Sequence, residues 1–320
     1  MNARAQWLEE RRGGIGSSDV AAILGMAPPA WGASPHSVWL DKRGLAGPRD
    51  EQPQMAWGSD VEPAILRYVA RTHDLDIRPT PVGELYRHPT ETWACATPDA
   101  LHYRGEPVGI VEVKNYGVSD GWGRDGDEAG DESVPAHVRL QAWHQMWVCG
   151  LFGESYIAAS LWGRPPRLYP IRWEPQYERV IVPQLRAFWA LVEAGTPPAV
   201  DASDACAESL RMLHPVIDQV DERPDLEPMA LRLVEAKRAA KAADEAAKLA
   251  ANELLAAVGS TRRTVAGPVL VTRVVVRPGL RFDAKALETT DPETWQRYAR
   301  PSTGSEYLKA TLTKGGNNGE

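Results

Sequence analysis

Hydrophobic residues along the first two hundred positions follow two periods, and each period predicts a different element. Short apolar runs, alternating with polar residues or nearly continuous, predict β-strands. These runs lie at 82–87, 93–97, 108–114, 155–161 and 168–173. Apolar residues spaced three and four apart, with capping residues before them and glycines after them, predict helices. The predicted helices lie at 6–12, 19–24, 34–44, 60–72, 136–150 and 175–194.

The order of these elements predicts the fold class. Helices come first, strands follow, and a helix crosses between two strands near the middle of the chain. This order is typical of a three-layer α/β or α+β domain in which helices flank a mixed central sheet.

The last third of the chain has a different composition. Residues 226–258 are rich in Ala, Leu, Lys and Glu, which predicts one long amphipathic helix. Residues 261–281 predict a β-hairpin that turns at Gly267-Pro268. We therefore predict a first domain at 1–200, a C-terminal extension for oligomer, DNA or partner contacts at 201–314, and a disordered tail at 315–320.

Composition places the chain among cytoplasmic globular proteins. Hydrophobic residues make up 43% and charged residues 25% of the chain, which is ordinary for such a protein. No apolar run approaches the roughly 20 residues that span a bilayer, and the first residues lack the apolar core of a signal peptide. We expect no membrane partner and a cytoplasmic location. Cys95, Cys149 and Cys206 are far apart in sequence, which disfavours a disulfide framework and an iron–sulfur cluster.

Charge is distributed unevenly. The net charge of -7 argues against a surface coated with basic residues, although a local basic groove is compatible with it. Residues 120–132 hold six acids and one Arg, whereas residues 261–281 hold five Arg and no acid. The Arg-rich hairpin either contacts a DNA backbone or carries ordinary surface charge. The long loop at 117–134 contains Trp122, which either stacks on an unpaired base or packs against the loop.

One predicted strand carries charges where apolar residues are expected. In VGIVEVK (108–114), Glu112 and Lys114 lie on the same face because side chains alternate along a strand. A salt bridge at a strand end is the simplest interpretation. However, Pro98-Asp99 precedes this strand, and a turn at 104–107 brings it back alongside. Asp99 and Glu112 then converge on one Mg²⁺, beside Lys114, and such an ion supports phosphodiester cleavage.

The spacing PD-x12-E-V-K resembles the PD-(D/E)xK nuclease signature. Three further segments resemble ordered motifs of the YqaJ-like viral recombinase family, which is related to the phage lambda exonuclease. They are WLEERRGGIGSSDVAAILG at 7–25, GSDVEPAI at 58–65 and VPAHVRLQAWHQMWVCG at 134–150. The resemblance implies a PD-(D/E)xK restriction-endonuclease-like core. It also implies a metal-dependent exonuclease that degrades one strand of linear duplex DNA from 5′ to 3′ in phage-type recombination.

The resemblance assigns roles to individual residues at the catalytic centre. Asp99, Glu112 and the backbone carbonyl of Val113 would bind Mg²⁺, for which Mn²⁺ can substitute. Lys114 would act on the attacking water, and Glu62 and Gln141 would complete the site. Each assignment has a simpler local alternative. Glu62 fits a helix capping box that starts at Ser59, and Gln141 fits an ordinary helix surface position.

The resemblance also implies a site for the DNA end and a set of partners. Arg11 and Ser18 would hold the terminal 5′-phosphate, with Arg12 in place of Arg11 if the register shifts by one, and Thr97 would lie near the phosphate. A surface Arg and a helix N-cap Ser are the local alternatives for the first two. The implied partners are double-stranded DNA ends, a single-strand annealing protein and other copies of this chain in a trimeric ring.

Two other functions are compatible with the same residues. One is a structure-specific or restriction-like endonuclease built on the same core. The other is a catalytically silent DNA-binding scaffold, which the presence of Glu62, Asp99, Glu112 and Lys114 disfavours.

Overall fold

A computed structural model of the chain contains two compact units, Met1–Ile217 and Asp218–Glu320, and each is described by itself. The first unit contains the predicted site residues. The structure describes residues 3–47, 53–117, 121–123, 133–276, 279, 282–300 and 310.

Seven helices and seven strands make up the described part of the first unit. The helices are α1 (Ala3–Arg12), α2 (Val20–Ile23), α3 (Pro35–Lys42), α4 (Pro53–His73), α5 (Ala136–Cys149), α6 (Val182–Ala194) and α7 (Asp204–Leu213). The strands are β1 (Asp76–Pro79), β2 (Tyr86–Arg87), β3 (Cys95–Ala96), β4 (Ala100–Arg104), β5 (Glu106–Tyr116), β6 (Ser155–Leu161) and β7 (Arg167–Ile171). A 3-10 turn at Ser17–Asp19 leads into α2, and a π turn at Tyr177–Ile181 leads into α6.

Five of the strands form one mixed sheet in the order β1-β4-β5-β6-β7. The pair β5 and β6 is parallel, with α5 as the crossover between them, and the other three pairs are antiparallel. Successive residues of the long central strand β5 face opposite helices. Ile110 packs in the core under α5, and Val111 packs in the core under α4. The predicted three-layer class, a mixed sheet flanked by helices, is therefore confirmed.

Two predicted boundaries near the site are wrong, and each has a physical reason. The strand that pairs with β5 is β4, not the run at 93–97, of which only Cys95–Ala96 is extended and pairs with β2. Helix α4 begins at Pro53 rather than at residue 60, and Pro63 lies inside it. Ser59 is therefore an interior residue whose hydroxyl donates to the carbonyl of Met55 at 3.2 Å, and the capping-box alternative does not hold.

His144 ties the helices to the site's N-terminal turn, although the sequence pattern gave it no partner. It lies on α5 and is fully buried. Its Nδ1 is 2.7 Å from the hydroxyl of Tyr177, and its Nε2 is 3.2 Å from the carbonyl oxygens of both Ile15 and Cys95. Burial lowers the pKa of His144 to about 4, so the ring is neutral at physiological pH and acts as a structural link.

Gly109 allows the two central strands to approach. A Cβ at this position would lie 2.0 Å from the carbonyl oxygen of Glu154, a backbone atom that cannot move aside cheaply. We expect Gly109→Ala to destabilise the protein by about 2–4 kcal/mol, measured by denaturant unfolding. Gly58→Ala is the matched control, because Gly58 is in helix α4 with no atom within 4 Å of its added Cβ. It should be neutral or stabilise by up to about 1 kcal/mol, and equal losses in both variants would contradict the packing argument.

The first unit extends to Ile217 and includes α7, in which Ala205, Cys206 and Ser209 are buried. The proposed division at residue 200 stays a prediction, as does the extension at 201–314. The predicted tail at 315–320 lies outside the described residues.

The second unit contains the two elements predicted for it. They are α8 (Glu227–Val258) and a hairpin of β8 (Arg263–Ala266) and β9 (Val269–Thr272). Helices α9 (Ala284–Thr290) and α10 (Pro292–Tyr298) follow. Along the described stretches, none of the helices combines the length and the apolar character that a membrane crossing requires.

Candidate active site

The pairing of β4 with β5 brings the predicted metal ligands together. Ala100 pairs with Val111 in the antiparallel ladder, so Asp99 lies level with the next residues of β5. One carboxylate oxygen of Asp99, Oδ2, accepts a hydrogen bond of 2.6 Å from the backbone N–H of Val113. Asp99 is therefore held against β5 at Val113, the residue that separates Glu112 from Lys114.

Glu112, Lys114 and Gln141 form one hydrogen-bonded group. The ammonium nitrogen of Lys114 lies 2.6 Å from Oε1 of Glu112 and 2.8 Å from Oε1 of Gln141. The amide nitrogen of Gln141 donates to the same Glu112 oxygen at 2.5 Å. The Glu112 and Lys114 side chains are only 4% and 12% exposed. The predicted proximity of the three residues is thus observed, and Gln141 is not an ordinary helix surface residue.

Gln145 belongs to the same group, although the sequence pattern gave it no role. It lies one turn after Gln141 on α5, and its amide nitrogen donates to Oε2 of Glu112 at 2.7 Å. Residues four apart on a helix face the same way, so the two glutamines reach the two oxygens of one carboxylate. That spacing was the only available signal, and it does not distinguish a site residue from a surface residue.

The carboxylates of this group lie close enough to shift one another's pKa, and the ammonium of Lys114 lies among them. Burial raises the pKa of Asp99 well above its usual value, and the charges of Glu112 and Glu62 raise it further. Burial and the charge of Glu112 also raise the pKa of Glu62, which reaches the group from α4. Burial by itself would lower the pKa of Lys114, but Glu112, Tyr116 and Asp99 together outweigh it, so that the pKa is raised and the ammonium persists at neutral pH.

The predicted end-binding residues Arg11 and Ser18 lie together at the N-terminal turn. The guanidinium of Arg11 donates to the hydroxyl of Ser18. Arg12 lies elsewhere, paired with Glu9 at 3.1 Å and with Asp41 at 3.8 Å. Arg11 is thus the arginine that contacts Ser18, and phosphate binding by either arginine stays a prediction.

Two further charged residues support Arg11, and neither was predicted. The side chain of Lys42 is 1% exposed, and its ammonium lies 2.7 Å from Asp19 and 3.3 Å from the Arg11 carbonyl. Asp19 also accepts from the backbone N–H of Gly16 at 2.8 Å. Burial tends to raise the pKa of Asp19, but Lys42 and Arg11 outweigh it and the pKa is lowered. Lys42 also lies 3.8 Å from Asp41, so the two cations at this turn, Arg11 and Lys42, are paired with two carboxylates.

Three further predicted residues are Thr97, Val113 and Trp122. The hydroxyl of Thr97 donates to the carbonyl of Glu84 at 3.2 Å, and its contact with phosphate stays a prediction. Val113 belongs to the site through its N–H, and metal binding by its carbonyl stays a prediction. Trp122 is buried and lies 5.1 Å from the ring of Tyr169, so it packs in the core; positions 118–120 and 124–132 of its loop lie outside the described residues.

In the second unit, Arg263 lies in strand β8, and Arg262 and Arg273 flank the hairpin. Arg277 and Arg281 lie outside the described residues. DNA contact by this hairpin stays a prediction.

A mixed sheet with Asp99, Glu112 and Lys114 meeting on adjacent strands defines the PD-(D/E)xK class of fold. Residues 6–151 match the model of the YqaJ-like viral recombinase domain.

The chain is also similar to known proteins. The uncharacterized protein YqaJ of Bacillus subtilis (strain 168) is 29% identical over 215 residues, covering 65% of this chain and 63% of YqaJ. The chain thus spans less than two thirds of that relative's length. The alkaline exonuclease LHK-Exo from Laribacter hongkongensis is 17% identical with a TM-score of 0.44, covering 60% of this chain and 93% of the enzyme. Its complex with dAMP gives the same values. Likeness to a solved structure at this level carries no function to the present chain.

Proposed function

We propose that this chain is a metal-dependent DNA exonuclease that degrades one strand of linear duplex DNA, from 5′ to 3′, in phage-type recombination. The observation that carries the proposal is the buried group in which Asp99, Glu112 and Lys114 meet under Gln141. The match of residues 6–151 to the YqaJ-like viral recombinase domain supports a role in recombination.

The residues present fit a hard divalent cation. Asp99 and Glu112 offer carboxylate oxygens, and the crowding that raises the pKa of Asp99 is the condition that a cation would relieve. Among the described residues no three His, Cys, Asp or Glu side chains form a cage. Mg²⁺ does not need one, because it keeps several waters and uses one or two carboxylates together with substrate phosphate. We propose Mg²⁺ as the natural ion, with Mn²⁺ as a substitute.

The ion would supply a bound water of lowered pKa and would offset negative charge on the scissile phosphate. Lys114, which keeps its proton at neutral pH, would stabilise the charge that develops on the phosphoryl oxygens rather than remove a proton from water. Gln141 would hold the Lys114 ammonium in place at 2.8 Å. Glu62, with its raised pKa, would accept a proton from the attacking water, and cleavage would leave 5′-phosphorylated products.

The pairing of Arg11 with Ser18 at the N-terminal turn favours an enzyme that acts from DNA ends. An Arg guanidinium beside a helix N-terminus binds phosphate well. A terminal 5′-phosphate seated there would be held a short way from Glu112, because Gln145 reaches both Glu112 and the neighbouring Ser17. An endonuclease on the same core would have no use for such a site. A trimeric ring and a single-strand annealing partner are further proposals that rest on family analogy.

The test of this function is digestion of linear duplexes with a label at either 5′ end, in Mg²⁺ and in chelator. We expect Mg²⁺-dependent loss of label from 5′-phosphorylated ends, slower loss from 5′-hydroxyl ends, and no cutting of covalently closed circles. Cutting of closed circles would instead support the endonuclease. Binding of DNA without any digestion in Mg²⁺ or Mn²⁺ would support the silent scaffold.

A further inference from the structure

Gln145 is the one polar side chain in the described part of the chain that contacts both the catalytic carboxylate and the turn carrying the proposed end-binding residues. It is fully buried. Its amide nitrogen lies 2.7 Å from Oε2 of Glu112 and 3.4 Å from the hydroxyl of Ser17. Ser17 directly precedes Ser18, which accepts the hydrogen bond from Arg11.

The hydrogen bonds around Glu112 show what Gln145 does there. Lys114 and Gln141 both donate to Oε1, whereas the contact of Gln145 is to Oε2. A carboxylate held from both oxygens cannot rotate about its last bond. Without Gln145, two donors on one oxygen would leave the carboxylate free to turn.

The second amide atom of Gln145 argues against a purely structural role. Its Oε1 is buried and has no hydrogen-bond partner within the described residues. A buried unpaired acceptor costs about 1–3 kcal/mol, so an apolar side chain of the same length would pack at lower cost. Such unsatisfied atoms in native proteins call for an explanation, such as a functional role or a bound water or ion.

We propose that Gln145 is a positioning residue that fixes the Glu112 carboxylate and couples it to the seating of the DNA 5′ end at the Ser17–Ser18 turn. This inference rests on the proposed function. The two contacts differ in strength, because 2.7 Å is a short hydrogen bond and 3.4 Å is a weak one. Positioning of Glu112 is therefore the larger effect, and coupling to the end site is the smaller one.

The test compares Gln145→Met and Ser17→Ala with the wild type on 5′-phosphorylated and 5′-hydroxyl duplexes under single-turnover conditions. Gln145→Met keeps the length of the side chain and removes its N–H groups. We expect it to lower the maximal rate about 10–100-fold on both substrates, with little change in the DNA concentration at half-maximal rate. It should also weaken the Mg²⁺-induced rise in melting temperature, which is a readout independent of activity.

Ser17→Ala removes only the weaker contact. We expect it to lose at least half of the acceleration that a 5′-phosphate gives the wild type. Ser209→Ala is the matched control, since Ser209 is a buried serine of α7 that donates to a helix carbonyl at 2.7 Å. It should behave as the wild type on both substrates.

A folded Gln145→Met protein with wild-type rates and a wild-type response to Mg²⁺ would overturn the inference and leave the proposed function intact. Ser17→Ala with an unchanged phosphate effect would overturn the coupling. If Gln145→Met does not fold, Gln145→Glu is the second variant, and its added carboxylate beside Glu112 should lower the rate at least as much. A wild-type protein that digests no DNA would overturn the proposed function, and this inference with it.

Discussion

Replacing Lys114 with Ala is expected to reduce the rate of DNA hydrolysis by about 10³-fold or more while leaving the protein folded. The ammonium of Lys114 lies 2.6 Å from Glu112. Its charge partly offsets the rise in the pKa of Asp99 and of Glu62 that burial and the neighbouring carboxylates cause. Its removal takes away a preorganised charge at the point where negative charge develops, and loss of one such donor costs about 10²–10³-fold in known cases. The larger figure applies here because Glu112 would also lose its ion pair in a buried site.

The measurement is the single-turnover rate on a 5′-phosphorylated linear duplex at saturating protein. Lys248→Ala is the matched control, because Lys248 lies on α8 and pairs with Asp244 on the exposed surface. That variant should retain the wild-type rate. A Lys114→Ala protein with more than about a tenth of the wild-type rate would contradict the role given to this ammonium.

Replacing Asp99 with Asn is expected to abolish activity and, in the absence of metal, to stabilise the protein. The folded-state pKa of Asp99 is raised, so the folded protein binds this proton more tightly than the unfolded chain does. The metal-free wild type therefore loses stability as the pH rises from about 4 through the raised pKa, and the loss is complete above it. Asn carries no charge and removes this loss. We expect the variant to melt on the order of a few degrees higher at neutral pH in chelator.

The pH series from 4 to 8, measured by thermal unfolding in chelator, tests the sign of this effect. The gap between variant and wild type should be small near pH 4 and should grow with pH. Asp76→Asn is the control, because Asp76 is exposed and its hydrogen bond with Arg78 lowers its pKa, which is the opposite direction. Its gap to the wild type should not grow in the same sense. A metal-free Asp99→Asn protein that melts below the wild type at neutral pH would contradict the description of the site as crowded carboxylates.

The sequence predicts which residues meet in the site where the two-residue repeat of a strand decides the geometry. Glu112 and Lys114 share a face because they are two apart on a strand, and Asp99 joins them because a tight turn at Gly105 returns the chain. The partner strand was misplaced because the buried run at 93–97 looks more strand-like than β4, whose His102 and Tyr103 break the apolar pattern. Two-residue pairing of β3 with β2 could not be read from that pattern.

The site residues that could not be predicted from the sequence are polar residues whose burial depends on tertiary contacts. Lys42 occupies the last turn of α3, where a lysine is expected simply to face the helix C-terminus and solvent. Its side chain is instead buried against Asp19, which is distant in sequence. Gln145 was equally unremarkable, since a second Gln one turn after Gln141 suits a solvated helix face. Neither the spacing of residues nor the composition of the helix indicates that the Glu112 carboxylate lies opposite Gln145.

We propose that Asp99 and Glu112 share one divalent cation beside Lys114. Binding of Mn²⁺, followed by electron paramagnetic resonance in the wild type and in Asp99→Asn, measures this most directly because it needs neither DNA nor turnover. We predict one ion per chain in the wild type, displaced by excess Mg²⁺, and an affinity at least about tenfold weaker in the variant. Equal Mn²⁺ affinity in the two folded proteins would contradict the claim.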